Sequence, residues 1–127
     1  MMLRPADRDT LKRLGLPFKV SFGNGFTMVQ IMDYPLGPGL QPDKVAILLR
    51  LPPGFPDVYP DMFWVDPPVR RTGGGAIRGT EYMETHLDRS WQRWSRHVIG
   101  NWRPGIDNLA TYLAYIRRCF DQEKERG

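Results

Sequence analysis

Leu51-Pro-Pro-Gly-Phe-Pro-Asp-Val-Tyr-Pro-Asp61, followed at once by Met62-Phe-Trp-Val65 and Asp66-Pro-Pro68, decides the fold. Proline fixes φ and has no N–H to donate, so residues 52–60 can form neither a helix nor a central strand. Residues 62–65 fit a short strand held between two rigid turns. The prolines therefore read as the frame of a sheet edge. Nine of the twelve prolines lie between Pro35 and Pro68. Together with 13 glycines they make up about a fifth of the 127 residues, which argues against a helical bundle.

Strand patterns surround this stretch. Residues 44–51 (KVAILLRL) form a nearly continuous apolar run, as expected of a strand buried on both faces. Upstream, Phe18, Val20 and Phe22 alternate in the strand period, Gly23-Asn-Gly25 is a hairpin turn signal, and residues 26–34 (FTMVQIMDY) form the returning strand. Residues 8–14 suit a short helix that Gly15 and Pro17 terminate. Four strands without a long helix between them predict an antiparallel meander. Downstream, Trp102-Arg-Pro104 breaks the chain, and Asp107 or Asn108 can cap a last helix. Leu109, Tyr112, Leu113, Ile116 and Phe120 form its buried stripe. The charged end, residues 121–127, is expected to fray. Residues 81–100, rich in Trp, Arg and His, have no clear local type.

Bulk properties narrow the function. Length fits one domain over residues 1–127, and 41% hydrophobic with 25% charged residues is a globular balance. No apolar run approaches the roughly 20 residues of a membrane span. Met1-Met-Leu-Arg-Pro-Ala-Asp7 lacks the apolar core of a secretory signal, so cytoplasmic work is expected. The net charge of +4 sits in residues 70–103, which hold seven arginines and three acids. Such a stretch suits nucleic acid or an acidic protein partner, but no nucleic-acid recognition motif accompanies it. No Cys/His set has zinc spacing, and Gly73-Gly-Gly75 lacks the Lys-Ser/Thr ending of a phosphate-binding loop.

Two side chains are candidate nucleophiles. Cys119 is the sole thiol, but its place in the last helix beside Phe120 favours packing over chemistry. Trp91-Gln-Arg-Trp-Ser-Arg-His97 is denser in chemistry. Ser95 and His97 share a face if this segment is extended, and a hydroxyl needs such a base to become a nucleophile. His86 is a second possible base, and Arg93 and Arg96 can steady developing negative charge. From residue types alone, a structural Trp/Arg cluster with indole–guanidinium stacking is the favoured reading of the segment, because Ser-x-His is a weak motif.

The order of these pieces resembles the ubiquitin-conjugating (UBC-like) fold. In that family a Pro-x-x-Tyr-Pro turn leads from the third strand into the fourth, and a Trp-x-Pro element leads from the catalytic segment into a helix. Leu-Pro-Pro-Gly-Phe-Pro-Asp57, Asp61-Met-Phe63 and Trp91-Gln-Arg-Trp-Ser-Arg-His97 resemble the bacterial group E proteins of that family. The resemblance covers about residues 26–120. It implies an α+β, UBC-like domain, with an antiparallel four-strand meander packed against helices and without the family's extra C-terminal helices.

The family's His-Pro-Asn triplet is missing, and no cysteine lies between Pro68 and Trp102. Counting back from Trp102 to the family's nucleophile position leads to Trp94 and Ser95, with Ser90 next. The resemblance thus implies a carrier that holds a ubiquitin-like modifier on Ser95 as an oxyester. His97 would be its base or orienter, and Asn101 would give the oxyanion contact. Arg93, Arg96, Trp94 and Trp102 would contact the modifier or a partner. Implied partners are the modifier, an adenylating activating enzyme, and a modifier-removing peptidase from the same operon, in a setting of phage defence. No metal or other cofactor is implied. The alternatives are a catalytically inactive variant that binds a modifier or partner non-covalently, and a nucleic-acid-binding module, for which only the arginines speak.

Overall fold

A computed structural model of the chain describes residues 3–98 and 100–126. The elements run α1 (Pro5–Leu14), β1 (Phe18–Gly23), β2 (Phe26–Pro35), β3 (Leu40–Gln41), β4 (Lys44–Leu51), β5 (Phe63–Asp66), β6 (Arg70–Arg71), β7 (Met83–His86), β8 (Arg89–Trp94) and α2 (Leu109–Arg126). Helix α1 starts earlier than its apolar spacing suggests. Pro5 supplies the fixed φ of a first helical residue, and Asp7 in the first turn is clasped by Arg4 at 2.8 and 2.9 Å.

The meander is present as β1-β2-β4-β5, antiparallel throughout. Asn24 and Gly25, both at positive φ, close the β1–β2 turn. The sheet is wider than expected. Residues 83–94 form a β7–β8 hairpin, and β8 pairs with β5 through Phe63–Trp94 and Val65–Gln92, giving the order β1-β2-β4-β5-β8-β7. The proline-framed strand β5 is therefore interior, not an edge. β3 and β6 form a separate two-stranded ladder that places Arg71 opposite Leu40.

Alternation along β4 divides the core. Val45, Ile47 and Leu49 face the helices, with Phe63, Val65 and Trp94 beside them, and meet Leu11 of α1 and Tyr112, Ile116 and Phe120 of α2. Ala46 and Leu48 face the other way, into a smaller cluster with Met28, Trp64 and Trp91. Each large apolar side chain fully buried in this way contributes roughly 1.5–3 kcal/mol. The whole expected stripe of α2 is buried.

Of the two candidate caps for α2, Asn108 is the one used. Its Oδ1 accepts the Thr111 N–H at 3.1 Å, and its own N–H donates to Thr111 Oγ1 at 2.9 Å, a reciprocal box. Asp107 instead accepts the Arg103 backbone N–H at 2.7 Å. Asn108→Ala should cost about 1 kcal/mol, measured by urea denaturation. An unchanged midpoint would remove the cap from the account.

The charged end, residues 121–126, continues α2. Glu123 is only 6% exposed, and its carboxylate is buried against Arg71 and Arg96. Among the described residues, no helix is long and apolar enough to cross a membrane.

Candidate active site

The stretch from Trp91 to Trp102 lies between the sheet and the start of α2. Trp94 ends β8 inside the core. Its ring stacks on Phe63 (5.5 Å) and meets Phe120 edge-on (4.9 Å), and its indole N–H donates to Gln92 Oε1 at 3.0 Å. It is fully buried. Trp94 therefore cannot serve as the expected partner contact, because no partner can reach it.

The chain bends immediately after Trp94. The Arg96 N–H donates back to the Trp94 carbonyl at 2.9 Å, a tight turn centred on Ser95. Ser95 and His97 therefore do not share a strand face. The Ser95 N–H is fixed to the Gly79 carbonyl at 2.9 Å. Half-buried Ser95 then lines a cleft of about 540 Å³ with Arg71, Arg78, Gly79, Arg96 and Glu123.

This cleft has a charged hub. Glu123 accepts from Arg71 through one carboxylate oxygen and from Arg96 Nη2, at 3.2 Å, through the other. Arg71 Nε also donates to the Glu123 carbonyl at 2.8 Å, and its Nη1 donates to the Ala76 carbonyl. Arg96 lies over the Trp94 ring (5.2 Å) and donates from Nη1 to the Ser95 carbonyl at 3.2 Å. Gly79 makes this approach possible. Its φ is +80°, and a Cβ there would fall 2.8 Å from Arg96 Nη1 and 3.4 Å from Ser95 Cβ.

His97 is exposed and faces a different partner. Its Nδ1 lies 2.9 Å from Asp61 Oδ1, in the turn after Tyr59-Pro60. A carboxylate on Nδ1 orients the imidazole and leaves Nε2 free for a proton. Among the described residues no hydrogen bond joins Ser95 to His97. Exposed Asn101 lines a second cavity, of about 430 Å³, with Trp102, Tyr115 and Arg118, and is not part of the lining of the Ser95 cleft. Trp102 pins the proline loop. Its indole N–H donates to the Pro56 carbonyl at 2.8 Å, and its ring packs on Phe55 and Tyr112.

Arg93 points to the opposite sheet face from Trp94. It donates to Glu84 Oε2 at 2.7 Å and lies over Tyr82. Burial pushes the Glu84 carboxyl up, but hydrogen bonds from Trp64, His86 and Arg93 outweigh it and hold the carboxyl below its ordinary value.

Cys119 is buried in α2, and burial pushes its thiol above the ordinary value, against the thiolate a nucleophile needs. The site residues that the sequence did not single out are Asp61, Arg71, Arg78, Gly79 and Glu123. Asp61 lies 36 positions from His97, and Glu123 lies 52 from Arg71, so no local spacing links them. Among the described residues, no group of three or more His, Cys, Asp or Glu is placed to hold a metal ion.

No curated protein and no solved structure matches the chain. A family model described as "Prokaryotic E2 family E" matches residues 3–123, nearly the whole chain. The chain belongs to that prokaryotic E2 family E, and is in general terms a ubiquitin-conjugating-like carrier working with a ubiquitin-like modifier and an activating enzyme.

Proposed function

We propose that this carrier takes its modifier on Ser95 as an oxyester and passes it to a target amine. One observation carries this. Of the candidate nucleophiles, Ser95 lines an open arginine-rich cleft, whereas Cys119 is buried and Ser90 lies exposed on β8, outside the lining of that cleft. In the first step Ser95 Oγ attacks the activated C-terminal carbonyl of the modifier. Its proton goes to a base, and the leaving group departs with the activating enzyme. Arg96 stands on the Ser95 wall, where a cation meets the negative charge that develops on the carbonyl oxygen. Arg96 takes the role first expected of Asn101.

His97, oriented by Asp61, supplies the base through its free Nε2. In the second step the target amine displaces Ser95 Oγ, the amine's surplus proton passes to His97, and the oxygen is reprotonated. With this function go a cytoplasmic location, a modifier-removing peptidase from the same operon, and a part in phage defence.

The chemistry of the bond tests the proposal. The protein, its operon's activating enzyme, the modifier and ATP should give a covalent adduct on a denaturing gel. That adduct should survive thiol reductant and yield to mild base. An adduct cleaved by reductant would place the modifier on a thiol instead.

A second function, non-covalent binding by an inactive variant, is favoured by the Asp61–His97 pairing, which leaves Ser95 without a hydrogen-bonded base. Absence of any adduct, with modifier binding retained, would select it. The nucleic-acid reading rests only on the arginines. Of the seven arginines in residues 70–103, five are in ion pairs among the described residues, with Glu123, Asp66, Glu84 and Asp107.

A further inference from the structure

The Ser95 cleft carries more charge than the attack on a carbonyl requires. Three arginines reach it from separate segments: Arg71 from β6, Arg78 from the loop after Gly73-Gly-Gly75, and Arg96 from the turn after β8. Glu123, the one acid in the lining, answers Arg71 and Arg96 together. The lining therefore has three positive charges and one negative, a formal excess of two. Arg78 is exposed and, among the described residues, has no ion-pair partner. Exposed Glu81 at the rim offsets part of this excess. Hydrogen bonds from its own and the Gly79 backbone N–H hold its carboxyl below the ordinary value, and Arg96 and Arg78 add to that.

The remaining lining tells what kind of anion fits. Besides Ser95 it consists of Ala76, Gly79 and Gln122, so among the described residues no aromatic ring lines it on which a nucleotide base could stack. A cleft of about 540 Å³ lies in the range that holds a multi-atom ligand, well beyond one inorganic ion. A small methyl, bare glycine backbone and one side-chain amide suit an extended polypeptide. Arg78 and Arg96 then suit a carboxylate on that polypeptide, through charge-assisted hydrogen bonds.

We propose that this cleft is an acidic-peptide site. It receives an Asp or Glu side chain near the C-terminus of the modifier and so sets the terminal carbonyl against Ser95. The inference rests on the assignment of Ser95 as acceptor, and it adds the chemistry of the segment that Ser95 receives.

The test separates binding from transfer. The probe is a fluorescein-labelled Gly-Ala-Glu-Glu-Ala-Gly peptide with an amidated C-terminus, beside its Gln-Gln counterpart, followed by fluorescence anisotropy. The Glu peptide should bind the full chain about tenfold more tightly than the Gln peptide. Arg78→Gln should remove most of that difference. Arg13→Gln, an exposed change on α1, should leave it intact. Equal binding of the two peptides would overturn the proposal. So would an equal loss in Arg13→Gln, which would mean net charge rather than a site. Displacement of the Glu peptide by millimolar inorganic phosphate, with no preference over the Gln peptide, would mark a plain anion site and also overturn it. Peptide preference without an adduct would keep the acidic-peptide site and remove Ser95 as acceptor. An adduct without preference would do the reverse.

Discussion

Ser95→Ala is expected to lower adduct formation by at least ~100-fold, to below detection on a gel, while Cys119→Ala leaves it unchanged. The cleft contains no substitute. Its other side chains are arginines, alanine, glutamine and a glutamate already held by two guanidinium groups. Cys119 is walled off on α2, with its thiol pushed up by burial. Misfolding would not explain the loss. Among the described residues Ser95 Oγ has no hydrogen-bond partner, so its removal should change stability by no more than about 0.5 kcal/mol. Ser95→Cys sharpens the test, since the adduct should then become a thioester that a thiol reductant cleaves. Persistence of the adduct in Ser95→Ala would move the acceptor elsewhere.

The parts of the fold that were legible share a physical cause, namely that one period governs each. Residues 44–51 are apolar on both faces because β4 lies between two clusters, and α2 repeats its apolar stripe without interruption. The β7–β8 hairpin escaped because its turn breaks the usual rules. Leu87 and Asp88 both take positive φ, where Asn-Gly or Asp-Gly would announce a hairpin. Along β8 the alternation is masked by Gln92, a polar residue buried to hold the Val69 backbone N–H and the Trp94 indole. With the hairpin unseen, β5 looked like an edge.

Of the site, Ser95 and Arg96 could be read as a local cluster, and the structure keeps them together. His97 also carries its chemistry, but toward Asp61. A serine and a histidine two residues apart share a face only in an extended segment, and the turn at Ser95 removes that condition. The walls of the cleft come from residues 71–79 and from the last helix, and only tertiary contact joins them. A lone Glu123 in a charged tail looks like a solvated residue. Its role is visible only when Arg71 is placed opposite it.

That buried Glu123 predicts the largest loss of stability. Glu123→Ala should cost about 3 kcal/mol, read as a shift in the urea midpoint, with the melting temperature falling by roughly 10 °C. Removing the carboxylate leaves two guanidinium groups facing each other with side-chain exposures of only 10% and 18%. Breaking a buried pair from one side leaves charge uncompensated, which costs more than the pair itself contributes. The value sits at the lower end for such a break because Arg71 keeps the Ala76 and residue 123 carbonyls as acceptors. A folded domain has about 5–15 kcal/mol in all, so this loss is a large fraction. Glu123→Ala combined with Arg96→Ala should cost clearly less than the two single changes added, because the second change removes one of the stranded charges. Additive losses would mean that Arg96 and Glu123 act independently, and an unaffected Glu123→Ala variant would mean that the end of α2 is not anchored. Since Arg96 reaches the Ser95 carbonyl from the same anchor, Glu123→Ala should also slow adduct formation at temperatures where the variant remains folded, which separates a positioning role from simple loss of fold.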